Sequence, residues 1–229
     1  MNKTKIEWTN QTWNPVTGCL KGCAYCYARK IAFRFYGDFQ PRFFPERLGQ
    51  PLELKVPSKI FVCSMGEMFG DWVPAAWQKQ ILNVITDASW HIFQILTKQP
   101  QNLAKYSYPE NLWLGLSVDK QDAVDGLRQL LATDARVKFA SFEPLLEEIN
   151  TNLDGLHWII IGAQTNPDKQ PEEKWVKNLV VEAERCNIPV FMKKNLKFEP
   201  KRQEFPFLVQ AYIQDKLESP GVAQTHLLF

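Results

Sequence analysis

Three cysteines fall within eight residues, in the run Gly18-Cys19-Leu20-Lys21-Gly22-Cys23-Ala24-Tyr25-Cys26. This CxxxCxxC spacing lets three thiolates converge on one centre. A cubane iron–sulfur cluster held by three thiolates leaves one iron without a protein ligand, and that iron can chelate a small molecule. Gly18 and Gly22 relieve backbone crowding there, while exposed N–H groups and the start of a following helix favour thiolate and cluster charge. The alternative is a structural zinc site, which takes four ligands in a closed tetrahedron. Cys63, Cys186 or a histidine would have to complete it. The sequence has no second CxxC or HxxxH pair, and His91, His157 and His226 stand alone. Cys63 and Cys186 read as small apolar core residues. Five cysteines are an odd count, and in a reducing compartment a crowded trio points to metal or redox chemistry.

The elements that must position this loop show as short apolar, β-branched runs alternating with amphipathic stretches. Strands are predicted over Lys59 to Cys63, His91 to Thr97, Leu112 to Val118, Val137 to Phe142, His157 to Ala163 and Ile188 to Lys193. Helical spacing groups Trp77, Ile81, Val84, Ile85 and Ala88; then Ala123, Val124, Leu127, Leu130 and Leu131; then Val176, Leu179, Val180 and Ala183. Pro74, Asp119 and the pair Glu172 and Glu173 mark the N-termini of these helices. A first strand over Thr12 to Val16 and a first helix over Ala24 to Phe35 place the cysteines in the intervening loop. Apolar strands alternating with helices predict an α/β fold with a parallel sheet buried on both faces, a (βα) barrel, partial or complete. One domain spans 1–229, with an irregular insertion over 37–58 and a C-terminal extension over 197–229.

The cysteine spacing, with the aromatic Tyr25 before the last cysteine, resembles the signature of the radical S-adenosylmethionine superfamily. The resemblance implies a TIM-type barrel and a 4Fe–4S cluster on Cys19, Cys23 and Cys26. It further implies that the open iron binds S-adenosylmethionine, that one electron breaks a C–S bond, and that a 5′-deoxyadenosyl radical results. An electron donor, a reductase or a flavodoxin-like protein, is implied as a partner. Across most of the chain, IEWT, TWNPVTGC, FVCSMGEMFGDWVP, FQILTKQP, NLWLGLSV and FASFEPLLEEI are similar to a phage-associated, radical-SAM-like family of undefined reaction. GAQTN (Gly162 to Asn166) stands where that family has a GGESG-like stretch, and MKKNL (Met192 to Leu196) where it has a KQWG-like one. Gly66 and Glu67 resemble the superfamily's GGE-like stretch, which implies contact with the methionine amino group; Tyr25 belongs to the cofactor loop on the same ground.

In parallel sheets the C-terminal strand ends share one face, and ligands bind there. Polar residues follow the predicted strands where this rule wants them: Glu67, Lys98, Ser117, Glu143, Gln164 and Lys193 with Lys194. Glu143 is suited to a ribose hydroxyl or a substrate, or to an ion pair with Lys98 or Lys193. Lys98, Lys193 and Lys194 suit the S-adenosylmethionine carboxylate or an anionic substrate, and Ser117 and Gln164 are candidate hydrogen-bond donors to the cofactor.

A formal net charge of +2, with basic residues scattered, is too small to indicate a nucleic-acid binder by field alone. Of eight tryptophans, Trp77, Trp113, Trp158 and Trp175 read as packing residues, whereas Trp8, Trp13 and Trp72 are placed near loops. Nucleic acid stays open as a substrate through stacking plus Lys and Arg contacts. The first residues lack a signal-peptide stretch and no apolar run spans a bilayer, so a cytoplasmic location without membrane contact is expected. From another class altogether, a non-catalytic zinc- or iron–sulfur-binding phage or mobile-element protein, contacting nucleic acid or a protein partner, fits the same cysteines.

Overall fold

A computed structural model describes residues 1–206 of the chain. In chain order the elements are β1 (Asn2–Lys3), β2 (Gln11–Trp13), β3 (Val16–Thr17), α1 (Tyr27–Tyr36), β4 (Arg42–Phe43), α2 (Gln50–Glu53), β5 (Lys59–Val62), α3 (Ala75–Asp87), β6 (Ile92–Thr97), β7 (Leu112–Ser117), α4 (Gly126–Leu131), β8 (Val137–Phe142), β9 (Trp158–Ile161), the hairpin β10 (Gln164–Thr165) and β11 (Asp168–Lys169), α5 (Glu173–Arg185) and β12 (Val190–Met192). The central sheet has the order β1-β2-β5-β6-β7-β8-β9-β12. All its pairings are parallel except the edge pair β1–β2. Strand order follows chain order, as the alternating pattern requires, but no described pairing closes β12 onto the other edge.

The two sheet faces differ in what buries them. One carries Ile60, Ile95, Leu114, Phe142, Ile159 and Val190 beneath Ile81 and Ile85 of α3, Leu127 and Leu130 of α4, and Val176 and Leu179 of α5. On the other, among the described residues, no helix packs: Phe61, Trp113, Phe139, Trp158, Ile160 and Phe191 pack on one another and on Trp8 and Phe205. The period-two alternation of each strand sorts its residues between these layers. The sheet is strongly curled. Four strand spacings would separate β5 from β9 by about 19 Å on a flat sheet. Yet the Trp8 ring lies 4.7 Å from Phe61 on β5 and 6.3 Å from Trp158 on β9. The C-terminal segment contributes to the same layer, Phe205 stacking 5.4 Å from Trp158 with Lys59 Nζ 3.6 Å over its ring.

All six predicted strands form; Val137–Phe142 keeps its predicted bounds and the other five are shortened by one or three residues. Expected element bounds are revised in four places. The first strand splits into β2 and β3, because Asn14 and Pro15 turn the chain away after β2 pairs with β5; Asn14 Oδ1 is taken up by the Met65 N–H at 2.9 Å. The first helix starts at Tyr27 rather than Ala24, since Gly22 is left-handed (φ 76°) and Cys26 is the N-cap, its sulfur accepting the Arg29 N–H. It stops on left-handed Gly37. The helix around 123–131 contracts to α4, because Gln121 and its side chain are held by Glu147 and Asn150 in a separate 3₁₀ turn. The segment 37–58 is not wholly irregular: it holds β4, a 3₁₀ turn over Pro45–Arg47 and α2. Trp8, in the turn between β1 and β2, and Trp13, the last residue of β2, lie near loops as expected and are both buried. The extension over 197–229 is described only to residue 206; His226 lies outside the described residues. Among the described residues no helix is long and apolar enough to cross a membrane.

Candidate functional site

The cysteine loop leaves the C-terminal edge of the sheet and is pinned there by backbone. Gly18 N–H donates to the Met65 carbonyl (2.9 Å), Glu67 N–H to Gly18 (3.2 Å), and Cys19 N–H to Phe39 (3.1 Å). Gly18 has φ 89°, and a methyl group on it would overlap the Gln40 carbonyl, so only glycine fits immediately before Cys19. Cys19 and Cys26 rest on an apolar wall of Ala28, Ala32, Phe39 and Met65.

All three thiols are free and half-buried. Burial pushes the Cys19 thiol up to about 11, although the Lys21 N–H at its sulfur pulls the other way; Glu67, Cys23 and Cys26 add to the rise. At neutral pH this sulfur therefore stays protonated until a cation compensates the thiolate. Among the described residues no three His, Cys, Asp or Glu side chains already stand gathered as a metal site. The donor chemistry nonetheless suits a thiophilic centre: three reduced, soft sulfurs on one short loop, near the first turn of α1. Neither Cys63 nor Cys186 completes a fourfold set. Cys63 is turned into the core, as expected, while Cys186 is not a core residue but sits partly exposed at the end of α5 beside Asp154. His91 and His157 serve the opposite edge of the sheet, at Ser58 and Lys138.

Tyr25 joins the cysteine loop to the rim. Its hydroxyl donates to Asp119 and accepts from the Lys98 ammonium. Lys98 Nζ and Asp119 Oδ1 are 2.8 Å apart, 17% and 18% exposed. Burial, then Asp119 and Cys23, drives the Tyr25 phenol far up, so it is a proton donor at any ordinary pH. Burial would raise Asp119 as well, but Lys98 and the Tyr25 hydroxyl outweigh it and hold the carboxyl below its usual range. Lys21 Nζ adds a second tie, at 3.1 Å from the Lys98 carbonyl.

A second pair stands at the ends of β8 and β12, where Lys193 Nζ lies 3.1 Å from Glu143 Oε1. This is one of the two ion pairs expected of Glu143. Gly162, at the end of β9, makes it possible: a methyl there would lie 2.9 Å from Glu143 Cγ and 3.1 Å from Lys193 Cγ. Glu143 also acts on the cysteine side of the site. The Tyr27 hydroxyl is tucked against the Ser64 carbonyl at 2.6 Å, and burial, Cys26 and Glu143 in turn raise its pKa to about 12.

Glu67 and Gln164 take other places than sequence reasoning gave them. Glu67 is 6% exposed and braces the wall: Oε1 accepts from Thr97 Oγ1 (2.7 Å) and Phe69 N–H (3.0 Å), Oε2 from Lys98 N–H (2.8 Å). Burial raises its pKa against these bonds. Gly66 packs on Gly18 and so supports the cysteine loop from beneath. Gln164 turns into its own hairpin, donating to Pro167. Ser117 ends β7 opposite Ser141 of β8, between the two ion pairs in strand order. Lys194 is held by its N–H on Glu7. Asp119, whose place before a predicted helix suits a helix start, belongs to the site instead; its position two residues past β7 is the signal for it, since strand ends carry the site.

Residues 3–218 match the family model described as Protein of unknown function (DUF5131), and the chain belongs to that family. No curated protein and no solved structure matches the chain.

Proposed function

We propose that the chain is a radical S-adenosylmethionine enzyme built as a partial parallel (βα) barrel. One observation carries the reading: CxxxCxxC occupies the loop that leaves β2 at the C-terminal edge of a curled, sequentially ordered parallel sheet, tied through Tyr25 to Lys98 and Asp119. Cys19, Cys23 and Cys26 would hold a 4Fe–4S cluster, the loop drawing the three sulfurs together as thiolates are formed. Such a cluster supplies the electron that cleaves S-adenosylmethionine reductively.

The chain's own residues bind, orient and exclude water. Lys193 offers an ammonium to the S-adenosylmethionine carboxylate and Glu143 an acceptor to a ribose hydroxyl, each neutralised by the other before the cofactor arrives. Ser117 presents a hydroxyl from the end of β7, the strand next to β8. Lys98, Asp119 and Tyr25 fix the loop, so that Tyr25 is a positioning residue. Below the rim the aromatic layer from Phe61 to Phe191 lines the curled face and would keep water from the reacting centre. Delivery of the electron requires a reductase or a flavodoxin-like donor.

A zinc-binding, non-catalytic role is less well supported, since Cys63, Cys186, His91 and His157 all point elsewhere. Anaerobically reconstituted protein given dithionite and S-adenosylmethionine should release methionine and 5′-deoxyadenosine, with or without an added substrate pool. A fully loaded protein that releases neither under both conditions contradicts the enzymatic reading.

A further inference from the structure

Helix α1 shows an unusual outer surface beside the cysteine loop. Leu20, Tyr27, Ile31, Phe33, Phe35 and Tyr36 are six of the eight exposed large hydrophobic residues described, Phe35 being 72% exposed. The same stretch, from Gly18 to Gly37, carries Lys21, Arg29, Lys30 and Arg34 and no carboxylate, a local charge of +4 in a chain whose total is +2. Lys30 and Arg34 have no acidic partner among the described residues, whereas Arg42 nearby is neutralised by Asp38 at 2.8 Å.

We infer that this surface binds single-stranded nucleic acid and brings it to the cysteine loop. The helix is anchored through Ala28 and Ala32. At 100° per residue Lys30 lies about 160° from both, on the crown, with Arg34 and Phe33 beside it. Tyr27, Ile31 and Phe35 form one apolar flank, and Phe33 and Tyr36 the other. A cationic crown between two aromatic flanks matches a strand whose phosphates lie on the ridge and whose bases stack at its sides. Arg29 already lies 5.6 Å from the Phe33 ring, leaving that ring's other face free of any described ring contact.

The order of residues argues against two other occupants. A helix lying in a membrane interface buries an apolar crown and keeps its cations at the sides, which is the reverse of this arrangement. A second copy of the chain would set one +4 surface against another. That the bound strand is also the substrate rests on the radical reading; the binding itself does not.

The test is fluorescence anisotropy of the full chain with labelled single-stranded RNA and DNA of about 15 nucleotides. Anionic phosphatidylserine vesicles and sedimentation velocity serve as controls. Binding should weaken with salt, and Lys30→Ala with Arg34→Ala should flatten the slope of log affinity against log salt by about 1.4. Phe33→Ala with Phe35→Ala, two stacking rings, should weaken binding by at least about thirtyfold at unchanged slope. Lys169→Ala, on the β10–β11 hairpin, should change nothing. No binding at about 50 mM salt, affinity indifferent to all four changes, preference for vesicles, or self-association through α1 would each overturn the inference. Iron content and S-adenosylmethionine cleavage, measured on the same samples, keep this failure distinct: a loaded, active protein that binds no strand loses only the surface, and a strand-binding protein without iron loses only the radical reading.

Discussion

Lys98 Nζ and Asp119 Oδ1 lie 2.8 Å apart beyond the ends of two adjacent parallel strands, and the hydroxyl that touches both belongs to Tyr25, between the second and third cysteines. The cysteine loop is thus fastened to the sheet by a charge pair rather than by apolar packing alone. Asp119→Asn removes the charge and leaves a mostly buried ammonium uncompensated. Stability should fall by about 1–3 kcal/mol, less than for a wholly buried pair. The sign of the pH dependence follows from the depressed Asp119 pKa. Its contribution is present above the ordinary carboxylate range and is lost as pH falls through the folded-state value. Thermal unfolding from pH 7 to pH 3 should therefore show wild type and Asp119→Asn converging at the acid end.

Gly18 and Gly22 are both left-handed, yet their replacements should behave differently. At Gly22 a methyl meets only the movable Arg29 side chain, at 3.5 Å, so Gly22→Ala should cost only the backbone term of about 1–2 kcal/mol. At Gly18 a methyl strikes backbone at Gln40 and Pro41. Gly18→Ala should lose at least about 3 kcal/mol, or fail to accumulate as soluble protein, because neither strand of the clash can yield. Equal melting temperatures for the two variants would contradict this.

Lys59 offers a test of the curled sheet. Burial lowers its pKa to about 8, and its ammonium lies over the Phe205 ring. The folded-state value lies below that of the unfolded chain. Between about 8 and the ordinary 10.5 the unfolded chain therefore holds more protons, and stability rises with pH across that interval. Lys59→Met should abolish the rise. At pH 7 it should stabilise by about 1–2 kcal/mol, the burial penalty being partly offset by the cation–π contact it removes. A Lys59→Met melting curve parallel to wild type from pH 7 to pH 10 would contradict the placement.

The Glu143–Lys193 pair predicts a division of labour. Lys193→Met should weaken S-adenosylmethionine binding by roughly ten- to a hundredfold, the worth of one charge-assisted hydrogen bond, in calorimetric titration of reconstituted protein. Gly162→Ala should weaken it too, although residue 162 carries no polar side chain, because the added methyl parts the pair. Unchanged affinity in both variants would remove the pair from the cofactor site.

Much of this arrangement was legible from residue order. The strands declared themselves because Ile60, Phe61 and Val62, or Trp158 to Ile161, are apolar on both faces, and the polar residue just past each strand located the rim. Tyr25 and the three cysteines were readable as spacing. What was not readable depends on contacts across the chain. Glu67 looks like any loop carboxylate until Thr97, Phe69 and the Lys98 N–H are seen to occupy it. Asp119 fits a helix start as well as an ion pair, and the choice is made by Lys98, 21 residues away. Trp8 and Trp13 sit in segments too short to show periodicity; Trp8 is buried by the sheet curling over it, Trp13 by the helix-side core and the Arg47 carbonyl that its indole N–H meets.

The central claim is that Cys19, Cys23 and Cys26 hold a 4Fe–4S cluster, and metal analysis after anaerobic reconstitution tests it most directly. The wild-type chain should bind about four iron and four sulfide per molecule with the broad visible absorption of a cluster, and Cys23→Ala should lose both. A protein that takes up zinc and no iron, or a Cys23→Ala variant that retains the full cluster, would contradict the account.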